Sequence, residues 1–235
     1  IDNISKFIGQ FGLGKKIGID IEGEASGLLP SREWKMGRHK QKWWPGDTIS
    51  IGIGQGYNLV TPLQLAFATS IIANKGTAFR PHLVKRIQNS KTGEIFERSP
   101  QILYQLNLNP DNLELVRNAL IDVTKPGGTA AGAGAGAGYT FAGKTGTSQV
   151  INIKQGEKYD EDAINERHHD HALFIAYAPA ENPRIALSVL VENGRHGGSA
   201  AAPIARQVMD YVLLGKLPAH MEEKSVDGNR EGAHD

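Results

Sequence analysis

The segment Tyr139-Thr140-Phe141-Ala142-Gly143-Lys144-Thr145-Gly146-Thr147-Ser148-Gln149-Val150 puts one ammonium and two hydroxyls within four residues. On an extended strand side chains alternate faces, so Thr145 and Thr147 point the same way. Two adjacent hydroxyls suit a carboxylate, and Gly146 between them lets a ligand approach the backbone closely. The Thr147 N–H is then positioned to donate to a developing oxyanion. Lys144 supplies a cation that favours an anionic substrate or tunes a neighbouring hydroxyl's proton affinity. The group reads as half of an acyl-transfer site: carboxylate anchor, oxyanion donor and electrostatic helper. On the bare pattern it also reads as an edge strand carrying a basic residue. Ser148 adjoins the group but has no activating base in its local sequence, which argues against a nucleophile there. The tripeptide recurs at Lys91-Thr92-Gly93, between Asn89-Ser90 and Glu94, where the polar flanks predict a hairpin turn.

Other reactive-looking clusters carry blander readings. His168-His169-Asp170-His171 holds metal-ligand residue types, but four such residues in a row suit no single tetrahedral site. A solvated loop end with one structural histidine is expected. Asp20, Glu22 and Glu24 alternate, as on the solvent face of a strand. The basic stretch from Arg32 to Trp44, with three tryptophans, suits contact with glycan, lipid phosphate or a partner, or a solvated surface with tryptophans folded inward. The Gly/Ala run over 127–138 is either a linker or a side-chain-poor approach to a cleft.

Several elements must position these residues. Asp2 predicts an N-cap for a helix bearing Ile4, Phe7, Ile8 and Phe11, stopped by Gly12 and Gly14. Residues 17–21 alternate as a short strand, and 24–47 read as an irregular surface segment. Thr61-Pro62 opens a largely buried helix closed by Gly76. Residues 84–96 predict a hairpin. Asn109-Pro110 opens a helix with Leu113, Val116, Leu120 and Val123 on its buried face. Strands follow over 139–150, 171–178 and 185–192, the last two joined by a turn-rich link. A helix over 199–214, with Pro203 near its start, closes the fold. The class is α+β, an antiparallel sheet flanked by helices. One domain is expected over 1–217, with a disordered polar tail over 218–235.

Composition narrows the function. The 235 residues carry 26 Lys+Arg against 25 Asp+Glu, which removes any general electrostatic case for nucleic acid. The absence of cysteine excludes a disulfide framework and a thiolate nucleophile or metal ligand. Glycine is the outlier, 28 residues against an average near 7%. No apolar run is long enough to cross a bilayer.

Gly143-Lys144-Thr145-Gly146-Thr147, with Gly52-Ile53-Gly54-Gln55-Gly56 and Thr61-Pro62-Leu63-Gln64-Leu65-Ala66 upstream, resembles the transpeptidase domain of class B penicillin-binding proteins. Trp44-Pro45-Gly46-Asp47-Thr48, Ala176-Tyr177-Ala178-Pro179 and Val191-Glu192-Asn193-Gly194 are similar to the elongation-type branch of that family. The resemblance runs over about 1–217. It implies a penicillin-binding-protein/serine β-lactamase-like fold, incomplete in this chain, and a serine acyl-enzyme mechanism crosslinking peptidoglycan stem peptides without cofactor or metal. It implies D-Ala-D-Ala carboxypeptidase chemistry and inhibition by β-lactams. Lys144, Thr145 and Gly146 match the family's third motif, and Thr147 matches its oxyanion N–H and carboxylate-binding position. The first motif, Ser-x-x-Lys, is absent, since no serine here has a lysine three residues on. That motif and Ser-x-Asn/Asp are expected upstream, so the 235-residue chain alone is expected to be inactive. The implied partners are stem peptides, β-lactams, a membrane glycosyltransferase and elongation-complex proteins. The implied location is the periplasmic face of the bacterial inner membrane, through an anchor outside this chain. A division-type transpeptidase, a serine β-lactamase relative and a non-catalytic β-lactam sensor remain alternatives.

Overall fold

A computed structural model describes residues 1–151, 164–218 and 221. These divide into two compact units, Ile1–Asn118 with Ala186–Ser188, and Ala119–Ile185 with Val189–Asp235. The predicted polar tail falls almost wholly outside the described residues.

In the first unit, α1 (Asp2–Ile8) continues as a 3-10 turn, Gly9–Phe11, and ends at Gly12, whose φ is +91°. Asp2 does not cap α1; it pairs with Arg32 at 3.0 Å. Residues 17–21 are not a strand. Gly18 sits at φ +80°, and the Glu24 carboxylate, rather than a neighbouring strand, accepts from the Ile17 and Gly18 N–H groups. Asp20 likewise is no idle solvent-face acid. It accepts from the Leu83 and Val84 N–H groups and pairs with Arg98. The Leu83 N–H foremost, then the Val84 N–H and the Arg98 guanidinium, lower its pKa against the opposing effect of burial.

The segment over 24–47 is also more ordered than predicted. Ser31 accepts from the Trp34 N–H and starts α2 (Arg32–His39). Pro45 opens α3 (Pro45–Gly52), where Asp47 accepts from the Trp44 N–H. Lys35, buried on α2, pairs with Asp47, and its ammonium lies near the Trp43 and Tyr57 rings. The basic residue at the middle of the tryptophan cluster is therefore internal. Trp44, by contrast, is exposed.

The helix predicted from Thr61-Pro62 is α4 (Pro62–Ala73). Thr61 accepts from the Gln64 N–H and Gln64 accepts from the Thr61 N–H, a reciprocal cap that satisfies two orphan donors. Ile17, Phe67, Ile71 and Ala78 form the core here, with Phe11, Leu63, Leu103, Tyr104 and Leu106 packed against it. Strand β1 (Thr77–Phe79) is followed by the predicted hairpin, β2 (Arg86–Gln88) and β3 (Ile95–Glu97). Lys91-Thr92-Gly93 is its turn: the Asn89 side chain accepts from the Lys91 and Thr92 N–H groups. Strand β4 (Ile102–Gln105) pairs antiparallel with β1. The next helix is α5 (Pro110–Asp122), but its apolar face is only half-buried and Val116 is exposed. Its buried residue is Arg117, which donates to the Ile72 and Ala73 carbonyls at the end of α4.

In the second unit the Gly/Ala run folds compactly around α6 (Ala131–Gly134). A Cβ on Gly134 would lie 1.9 Å from the Thr124 carbonyl oxygen, and one on Gly128 2.3 Å from those of Asp122 and Val123. Glycine is needed there for close approach, so the linker reading is set aside. Strands β5 (Ala142–Ser148), β6 (His171–Ala178) and β7 (Ile185–Val191) form a sheet in that order. β5 and β6 are antiparallel, running from Ala142 opposite Tyr177 to Ser148 opposite His171. A π-helical turn, Gly197–Ala201, leads into α7 (Ala202–Leu214), which buries Ala202, Ala205 and Met209. Arg206 of α7 donates to the Ala133, Ala135 and Gly136 carbonyls and pairs with Asp210, which also accepts from the Tyr139 hydroxyl. Burial, then that bond, raises the Tyr139 pKa. Among the described residues no helix is long and apolar enough to cross a membrane.

Candidate active site

Strand β5 is the outer strand of its sheet, and its N-terminal half is fixed by tight packing. A Cβ on Gly143 would lie 2.4 Å from the Phe174 ring, so the strand sits directly on a fully buried aromatic of β6. From there Lys144, Thr145, Gly146 and Thr147 emerge along one wall of a cleft of about 590 Å³. The four residues singled out by sequence are thus brought together. Lys144 is exposed, and its ammonium donates to the Thr145 carbonyl at 2.8 Å. Thr145 is half-buried, with its hydroxyl 3.1 Å from that of Thr129. Ser148, at the end of β5, is not among the lining residues.

Thr129, His196, Gly197, Gly198 and Ser199 complete the lining. Thr129 is held in place by its neighbours, since the Gly128 N–H donates to the Lys125 carbonyl and the Ala130 N–H to the Val123 carbonyl, both at 2.9 Å. The opposing wall presses directly on β5. A Cβ on Gly197 would fall 2.8 and 3.0 Å from the Gly146 O and N, and one on Gly198 2.3 Å from the Thr129 carbonyl oxygen. None of these five was singled out as a site residue. The Gly197-Gly198 pair just ahead of an Ala-rich helix start was the available signal; nothing local marks Thr129.

Among the described residues the lining holds one ammonium, four hydroxyls, an imidazole and no carboxylate. Such a surface offers donors to an anion without a competing negative charge, and backbone N–H groups in a cleft strengthen this. It can hold a carboxylate and stabilise an oxyanion. Its lysine and its serine turn to backbone carbonyls, Lys144 to that of Thr145 and Ser199 to that of His196. Ser-x-Asn/Asp, expected upstream, is also spelled within the chain by Ser225-Val226-Asp227, which lies outside the described residues.

The histidine cluster begins as a solvated loop end at His168, which is exposed, and then turns inward. His169 and Asp170 are buried. Arg195 approaches the His169 ring at 3.3 Å, Asn193 donates to the Arg167 and His169 carbonyls, and the Asn193 N–H donates to His171 Nδ1. Asp170 accepts from the Val150 N–H. Together these contacts tie the loop after β7 to the start of β6.

Comparison with known proteins places this geometry in a family. Residues 1–210 match the penicillin binding protein transpeptidase domain. The peptidoglycan D,D-transpeptidase MrdA of Acinetobacter baumannii is 45% identical over 97% of this chain, that of Haemophilus influenzae 43% over 93%, and that of Escherichia coli K12 39% over 92%. The chain spans about a third of those relatives' length, 34% in each case. A Pseudomonas aeruginosa PBP2, solved in complex with WCK 5153, superposes with TM-score 0.74 at 42% identity, covering 94% of this chain and 44% of that one. A Helicobacter pylori PBP2, solved in complex with MreC, gives 0.70 at 32%, covering 90% and 36%. The α+β fold agrees with these relatives, and the chain belongs to the penicillin-binding protein transpeptidase family, as part of such a domain.

Proposed function

We propose that the complete protein containing this chain is a peptidoglycan D,D-transpeptidase of cell-wall elongation and rod-shape maintenance, and a β-lactam target. Residues 1–217 are the C-terminal part of its transpeptidase domain and supply the Lys-Thr-Gly side of the site. A serine upstream of this chain attacks the penultimate D-Ala carbonyl of a stem peptide, and terminal D-Ala leaves. The acyl group then passes to an amine of a neighbouring stem to form the crosslink, or to water, which gives carboxypeptidase activity. Thr145, Gly146 and Thr147 hold the terminal carboxylate, the Thr147 N–H stabilises the oxyanion, and Lys144 gives electrostatic and proton-transfer support. β-Lactams acylate the same serine. The protein works at the periplasmic face of the inner membrane beside a glycosyltransferase and elongation proteins; the MreC complex of the Helicobacter pylori relative supports that last assignment.

The observation that carries the reading is the hydroxyl-rich cleft along Lys144-Thr145-Gly146-Thr147, lined by no carboxylate among the described residues, in a chain so similar to MrdA proteins. The test is acylation by a fluorescent penicillin. The complete protein is expected to form a covalent adduct, slowed by Thr145→Val, while the 235-residue chain alone forms none. An adduct on the isolated chain, or an unlabelled complete protein, overturns the proposal.

A further inference from the structure

We infer that Thr129 is a positioning residue for carboxylate recognition, acting through Thr145; the inference rests on the function proposed above. The two hydroxyl oxygens lie 3.1 Å apart, so one hydroxyl donates to the other. Each carries a single proton. An anion in the cleft takes the Thr145 proton, which leaves Thr129 as the donor within the pair. The chain then runs from the Thr129 hydroxyl to the Thr145 oxygen and from the Thr145 proton to the carboxylate. Each bond polarises the next, and an anionic terminus strengthens both.

The geometry supports a dedicated role. Thr129 comes from a turn 16 residues before Thr145, and its backbone is gripped on both sides. The glycines at 128 and 198 admit no Cβ without backbone overlap at 2.3 Å, in the latter case with the Thr129 carbonyl itself. A Cβ on Gly198 would also touch the Thr145 methyl at 3.6 Å. Thr129, Gly198 and Thr145 are thus interlocked, and the Thr129 hydroxyl fixes the direction of the Thr145 hydroxyl. Without it, Thr145 is free to turn its proton toward other acceptors.

The experiment is a double-mutant cycle on the complete protein, reading the second-order acylation constant for a penicillin, with melting temperatures recorded for each variant. Losing one hydrogen bond in a charge-terminated chain predicts about a tenfold slower reaction for Thr129→Val. Thr129→Ser, which keeps the hydroxyl, is expected near the parent rate. In a Thr145→Val background, Thr129→Val is expected to add almost nothing. Thr129→Val as fast as the parent, beside a slow Thr145→Val, overturns this inference and leaves the proposed function standing. Equal losses in both backgrounds overturn it too, as does Thr129→Ser as slow as Thr129→Val, since methyl packing would then be the cause. A parent protein that no penicillin acylates removes the proposed function and this inference together.

Discussion

Gly197→Ala tests whether the glycine wall sets the geometry of the cleft. Gly197 is buried, and a Cβ there would lie 2.2 Å from the Leu173 carbonyl oxygen, 2.8 Å from that of Gly146 and 3.0 Å from the Gly146 nitrogen. All three atoms are backbone, so no side-chain rotation relieves the overlap. Ordinary contact begins at 3.4 Å, so the wall and the strands must separate by about 1 Å, a misplacement that costs a reacting geometry on the order of 100-fold in rate. Overpacking of this kind also costs about 2 kcal/mol, or roughly 6 °C in melting temperature for a domain of this size. The assay is the penicillin acylation constant of the complete protein, with a thermal melt alongside. Gly132→Ala is the control: it lies in the same unit, in α6, and its Cβ meets nothing within 4 Å. An acylation constant for Gly197→Ala within twofold of the parent, with an unchanged melt, refutes the reasoning.

Lys35→Met leaves Asp47 facing a buried position without its cation and is expected to destabilise by about 3 kcal/mol in urea unfolding; a loss under about 1 kcal/mol counts against the pairing as a structural element. The Asp47 pKa is lowered, first by the Lys35 hydrogen bond and then by the Trp44 N–H. A carboxyl lowered by folding contributes stability above its unfolded pKa of about 3.9, lost as pH falls through the folded value. The parent protein should therefore lose stability below about pH 4 more steeply than Lys35→Met, and parallel acid limbs would contradict this. Arg206→Lys cannot reach three carbonyls with one ammonium and is expected to lower stability by about 2 kcal/mol and slow acylation, because the Gly/Ala segment leading to β5 loosens; an unchanged urea midpoint and rate would dismiss that clamp.

Local chemistry was readable where it acts through near neighbours. Thr61, Pro62 and Gln64 carry the start of α4 within four residues, and Asn89 organises the β2–β3 turn from its own flank. The short apolar run over 171–178 reads as a strand, and the strand buries Ala172, Phe174 and Ala176 on one face while pairing with β5. Failures came where a group outside the element intervened, from a few residues away or from far along the chain. The run over 17–21 alternates like a strand, yet Glu24 takes its N–H groups. Arg117, not an apolar neighbour, is the buried residue of α5, because carbonyls at the end of α4 need its donors.

The same division holds at the site. The residue types and spacing of Lys144-Thr145-Gly146-Thr147 by themselves predicted an anion-binding edge and, with the flanking motifs, pointed to the family. Tertiary structure alone decided that Thr129 and the His196–Ser199 turn close the cleft. Thr129 meets β5 through a hydroxyl–hydroxyl bond 16 residues apart, and Gly197 meets it backbone to backbone about 50 residues on; neither contact leaves a periodicity in the chain. Glycine records that something must come close; only the fold says what.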